Sequence, residues 1–140
     1  MNRLKRTLKI ISTNWVHLVG FYVTTYFSMI LFNALGLETY TTENWSQTLL
    51  LNLIMIPFLF FTYGLMFIGG FFGAMIIMDS IGFTLTKTNT NLILLIEWIM
   101  IIPPFVTWAF EYDYWLWLTL IISFAVTQWI RKRKIEKINK

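Results

Sequence analysis

From residue 15 to residue 130 the chain carries one basic residue, Lys87, and that scarcity limits what it can fold into. A soluble domain clothes itself with about a quarter charged residues. Here charged residues make up 13% of the chain and hydrophobic ones 57%. The apolar residues gather into long runs at about 15–36, 49–78, 92–110 and 114–130. A membrane-crossing helix needs about 20 such residues to cover a hydrocarbon core of about 30 Å. Lipid offers no partner to an open backbone group, so helix is the conformation these runs can adopt. They lack the apolar–polar alternation of a membrane β-barrel. The expected fold is an all-α integral membrane protein, one domain over residues 1–140 with four transmembrane helices.

The same charges orient it. Arg3, Lys5, Arg6 and Lys9 precede the first run, Lys87 lies between the second and third, and Arg131, Lys132, Arg133, Lys134, Lys137 and Lys140 follow the fourth. A path of four crossings puts all of them on one side. The other side holds Glu38, Glu43, Glu111 and Asp113 and no basic residue. The positive-inside rule makes the basic side cytoplasmic, so both termini are expected inside a bacterial cell membrane. An odd number of crossings would separate the two basic termini. No small-x-small cleavage site follows the first run, so it is expected to remain in the mature chain. Trp15 and Trp129 fall at the inner edge and Trp45 and Trp115 near the outer edge, where an indole suits the interface. Trp98, Trp108 and Trp117 carry no such clear placement.

Several features lie inside the runs. The second is too long for an upright crossing: about 29 residues at 1.5 Å each cover roughly 43 Å, so it must tilt, kink or protrude. Pro57, which removes a backbone donor, is the expected kink. Gly69 with Gly73, and Gly70 with Ala74, form small-xxx-small pairs that let another helix approach, either from this chain or from a second copy. Pro103 and Pro104 in the third run predict a bend or a break, read as a fixed kink or as a hinge lining a cavity. Glu97 is the one acidic residue deep in a run, with His17 at a similar depth on the first helix. A charge there faces protein or water, and it serves as a proton or ion site, as a structural hydrogen bond, or snorkels to the interface.

Chemistry is sparse. With no Cys and a single His, thiolate and multi-histidine metal sites are excluded. The glycines at 69, 70 and 73 have no Lys after them and form no phosphate loop. No serine sits in a nucleophile elbow. No enzyme activity, cofactor or metal is expected.

Two segments on the basic side are long enough to present a surface. Leu4, Leu8, Ile11, Trp15 and Leu18 repeat at spacings of four and three, which places them on one face of a basic amphipathic helix. That helix suits the anionic inner leaflet or a docking partner. The tail 131–140 lacks Gly and Pro and is expected to extend the fourth helix beyond the membrane, with Ile135 and Ile138 on one side.

The glycine-rich second helix leads into Met78-Asp79-Ser80-Ile81-Gly82-Phe83-Thr84-Leu85-Thr86-Lys87-Thr88, and the chain closes with Trp129-Ile130-Arg131-Lys132-Arg133-Lys134-Ile135-Glu136-Lys137-Ile138-Asn139. In this layout the chain resembles the small four-helix membrane proteins of Gram-positive bacteria encoded beside LytTR-type transcription regulators. The resemblance implies an inhibitor that holds its cognate regulator at the inner face and represses bacteriocin- or competence-type genes. It places docking on Arg3, Leu4, Leu8 and Ile11, on Asp79 and Lys87, and on Arg131, Arg133, Ile135 and Ile138. The implied partners are that regulator and membrane lipid, without direct nucleic-acid contact, and a homodimer through the glycine face is compatible. A bacteriocin immunity protein and a small transporter or channel subunit are the alternatives.

Overall fold

A computed structural model describes residues 3–36, 45–62, 64–85, 89–112 and 115–139, without the side chains at 3, 45–48, 59 and 85. The described residues are helical throughout. Helix α1 (Arg3–Ile11) passes through a 3-10 turn (Ser12–Asn14) into α2 (Trp15–Ala34). Helices α3 (Trp45–Phe61) and α4 (Gly64–Ser80) follow, then a π-helical turn (Ile81–Leu85), α5 (Thr90–Glu111) and α6 (Leu116–Asn139). Three stretches, Leu4–Ala34, Gly64–Thr84 and Thr90–Glu111, are long and apolar enough to cross a membrane.

Local chemistry explains the boundaries. Gly36 ends α2 at a φ of 65°, a left-handed position that glycine takes without a Cβ clash, and its N–H donates to the Asn33 carbonyl at 3.1 Å. The side chain of Asn89 caps α5 by accepting from the Asn91 N–H at 3.1 Å. At the 3-10 turn, Ser12 and Thr13 hydroxyls donate back to the carbonyls of Lys9 and Ile10. This tightened turn brings Thr13 and Asn14 together on the buried side.

Two expectations about the runs change. The second run is not one kinked helix. Pro57 sits inside α3, and the interruption comes later, between Phe61 and Gly64, where the Thr62 hydroxyl folds back on the Phe58 carbonyl. The remaining pieces are a short apolar helix and a full-length one. The third run is not broken: α5 continues as one helix through Pro103 and Pro104, both exposed. The extension of α6 into the basic tail is as expected, since the helix runs unbroken to Asn139.

The packed faces are the less apolar ones. On α2 the buried positions are Val16, His17, Phe21, Thr25, Ser28 and Phe32, and on α6 they include Ser123, Phe124, Thr127, Gln128 and Arg131. Leu18, Val19, Val23, Phe27, Ile122 and Val126 point outward. Lipid is as apolar as leucine, so helices in it gain nothing by hiding aliphatic side chains and associate through close packing and polar contacts. The closest approach is between α2 and α6 at Gly20, where an added Cβ would stand 2.2 Å from Thr127 Cγ2. The Ser28 hydroxyl donates to Thr119 Oγ1 at 3.1 Å farther along the same seam.

The core divides along the bundle. One half is a nest of rings in which Phe21, Phe67, Phe71, Phe105, Trp108, Trp117 and Phe124 meet at centroid distances from 5.0 Å upward, mostly edge to face. Trp108 and Trp117 belong to this nest, whereas Trp15, Trp115 and Trp129 are exposed in the manner of interfacial anchors. The other half, where α1, the end of α4, the start of α5 and the tail of α6 converge, is called the basic end. It closes with an apolar cluster of Ile10, Phe83, Ile93, Leu94 and Ile135, with Ile138 against it.

Candidate functional site: a buried ion cluster at the basic end

Between the ring nest and that apolar cluster lies a set of polar side chains from four helices. Arg131 opens the basic run of α6, yet it is fully buried, as are Asp79 at the end of α4, Glu97 of α5 and His17 of α2. The period of α6 explains it: Arg131 stands seven residues after Phe124, three after Gln128 and four before Ile135, all on the packed face.

Four of the five N–H groups of the guanidinium find partners. Nη2 donates to Asp79 Oδ1 and Nη1 to Glu97 Oε2 at 2.6 Å. Nη1 also reaches Gln128 Oε1 at 3.3 Å, and Nε donates to Thr13 Oγ1 at 3.2 Å. Arginine's planar fork suits this work, because one rigid group serves two carboxylates at once. The carboxylates hold further donors. Asn14 Nδ2 donates to Asp79 Oδ2 at 2.8 Å, and Gln128 Nε2 to Glu97 Oε2 at 2.6 Å. One turn deeper, His17 Nδ1 pairs with Thr127 Oγ1 at 2.7 Å, and its ring lies 4.9 Å from that of Phe124. Glu97 Oε1, Asn14 Oδ1 and His17 Nε2 are buried with no protein partner.

Electrostatically the cluster is unbalanced. One guanidinium faces two carboxyl groups, a formal charge of minus one if both are ionised. A buried pair is costly to form, and the loss of one partner is costlier still, since it strands a charge in a medium that cannot solvate it. The arrangement therefore pins together the 3-10 turn, the end of α4, the middle of α5 and the tail of α6. Two outer contacts extend the join: Arg6 Nε donates to Asn139 Oδ1 at 2.8 Å, and the hydroxyls of Thr7 and Thr84 meet at 3.1 Å.

Several expected site residues take other places. Asp79, Arg131 and Ile135 were expected to dock a partner, but all are fully buried and hold the end together instead. Ile138 is half-buried against the apolar cluster, and Ile11 is half-buried. Leu4 and Leu8 are 64% and 57% exposed, and Arg133 is exposed with its guanidinium 3.8 Å over the Trp129 ring. Lys87 and the side chain of Arg3 lie outside the described residues. Gly69, Gly70 and Gly73 do not pack inside the chain: a Cβ added to any of them meets no atom within 4 Å, while Ala74 leans on the ring nest. The small residues that do seat a helix are Gly20, against Thr127 of α6, and Gly82, where an added Cβ would stand 2.8 Å from Ile93 Cγ2 of α5. Glu97 has a structural partner after all, and it is a residue expected to lie on the surface. Among the described residues no cluster of three or more His, Asp or Glu suited to a metal ion occurs.

Comparison with family models, with curated proteins and with solved structures gave no match.

Proposed function

We propose that the protein is a four-crossing membrane anchor with both termini in the cytoplasm, whose basic end captures a soluble transcription regulator and keeps it from its promoters. The LytTR resemblance supplies the class of regulator. The observation that carries the reading is the assembly of the basic end. Hydrogen bonds from Thr13 and Asn14, near the beginning of the chain, and buried ion pairs among Asp79, Glu97 and Arg131 tie this end into one body, and Leu4, Leu8, Lys5, Lys9 and Arg133 are exposed on it. Apolar side chains framed by cations suit a partner with an acidic, partly apolar surface.

The fourth crossing draws support from the same cluster. The uncharged part of α6, residues 116–130, covers roughly 22 Å, short of a hydrocarbon core of about 30 Å. With Arg131 turned inward onto two carboxyl groups, Lys132 beside Glu136, and Arg133 and Lys134 lying over the rings of Trp129 and Trp15, the aliphatic stems let the helix lie in the bilayer and its interface through residue 134, roughly 28 Å.

The test is capture from membranes. The full chain, tagged and expressed with a LytTR-type regulator, retains that regulator in the membrane fraction. The double variant Leu4→Ser, Leu8→Ser inserts and melts as the parent does but releases the regulator to the cytosol, with capture down at least about tenfold, a loss that two exposed apolar contacts can supply. Parent membranes that hold back no DNA-binding protein end the proposal.

A further inference from the structure

On the outer side of the α2–α6 seam lies a groove of about 520 Å³. Val19 and Val23 form one wall, Ile122 and Val126 the other, and Gly20 contributes no side chain between them. From Thr119 to Ile130 the lining of α6 spans eleven residue rises, roughly 16 Å, about the depth of one leaflet of a 30 Å core. Only one end of the groove carries a charge, the rest of its polar lining being the hydroxyls of Thr24, Thr119, Ser123 and Thr127. There Lys134 places its ammonium 4.9 Å from the centre of the Trp15 ring, and both residues line the opening. Among the described residues no carboxylate pairs with Lys134, whereas the neighbouring Lys132 faces Glu136 at 3.8 Å.

We infer that this groove holds one acyl chain of an anionic phospholipid, with the lipid phosphate paired to Lys134 beside the Trp15 indole. The shape and the charge agree on that occupant. An aliphatic slot of one-leaflet length fits a hydrocarbon tail, and an unpaired ammonium at its interfacial mouth draws a phosphate. An indole at the same level is the usual neighbour of a headgroup. A helix of a second copy is about 10 Å across and needs a seam of small residues to approach. These walls are valine and isoleucine, which leave room for methylenes between them and not for a backbone. The site fixes a lipid beside the seam on which α2 and α6 depend, and it does not rest on the capture of a regulator.

The full chain is reconstituted in vesicles of equal phosphatidylglycerol and phosphatidylcholine, and the lipids that stay with it are counted by native mass spectrometry. One phosphatidylglycerol per chain is expected in preference to phosphatidylcholine. Lys134→Gln lowers that preference about fivefold, the worth of one Lys near an anionic surface. Lys137→Gln, the same loss of charge farther along the helix, leaves it unchanged. Val23→Trp fills the groove from its wall and removes the bound lipid, whatever its headgroup, at unchanged helical content; Val126→Trp does the same from the opposite wall should the first variant fold poorly. Equal losses in Lys134→Gln and Lys137→Gln mean diffuse attraction and overturn the site. So does bound lipid that survives both tryptophan variants, and so does a lipid-free dimer that either tryptophan splits into monomers.

Discussion

The ring nest and the ion cluster lie on the same helices, yet they hold those helices together by different physics. In the ring nest every contact is apolar and has many substitutes: Phe105 alone touches Phe21, Phe67, Phe71, Trp108 and Trp117. Removing one partner leaves a cavity and weakens several contacts modestly, and lipid does not press the rings together as water would. In the ion cluster each carboxyl group has two partners, one of them Arg131, and nothing else among the described residues replaces that cation. Packing of the first kind tolerates change, and pairing of the second kind specifies a single arrangement. The end of the molecule where α1, α4, α5 and α6 converge is held by the specifying kind.

The largest expected effect tests that contrast directly. Arg131→Leu strands two buried carboxyl groups and should cost about 3–5 kcal/mol, the range seen when one partner of a buried ion pair is removed. Phe105→Ala should cost less than the ~3 kcal/mol at which the same change begins in a water-driven core. Thermal melts in micelles order the two; a larger loss for Phe105→Ala would make the ring nest the specifying half. The next effect separates the two kinds of small residue. Gly20→Ala puts a methyl into Thr127 and disturbs its bond to His17, so overpacking should cost about 1–3 kcal/mol, while Gly70→Ala, facing open space, should stay within about 0.5 kcal/mol. If the second substitution proved as damaging as the first, the glycine face of α4 would be a contact between copies.

Part of this architecture was legible in residue order. The apolar runs announced helices, and the polar spacing of Glu97 and His17 marked a buried layer. The break between Phe61 and Gly64 was passed over because hydropathy is high on both sides of it and Pro57 drew the expected kink, although Gly64, a weak helix former, opens α4. At Pro103 and Pro104 the outcome is no break: α5 runs on as one helix, with Ile101, Phe105 and Ala109 buried around the pair. Arg131 was hidden by its neighbours. In a run of Arg131, Lys132, Arg133 and Lys134 every member looks like a solvated cation, and composition cannot say which one turns inward. The helical period can, since the packed face marked by Phe124, Thr127 and Gln128 returns at Arg131 and again at Ile135. Gly20 was passed over for a related reason: its partner, Thr127, lies on a helix more than a hundred residues away, and no local motif signals the approach.

A small effect carries the most information about the cluster. Glu97→Gln keeps an oxygen where Oε2 accepts from Arg131 and Gln128, and it puts an amide group where Oε1 now has no partner. The new buried donor costs on the order of 1 kcal/mol. Against that, the substitution removes the carboxyl in excess and leaves Arg131 and Asp79 as a balanced pair. The net change should be within about 1 kcal/mol, a fraction of the Arg131→Leu loss. In the double variant one stranded carboxyl disappears, so the combined cost should fall below that of Arg131→Leu alone, a non-additivity that a double-mutant cycle measures directly. A Glu97→Gln protein as unstable as Arg131→Leu would show that Arg131 needs both carboxylates at full charge, and the imbalance of one cation against two anions would then have to be met by a group other than these three.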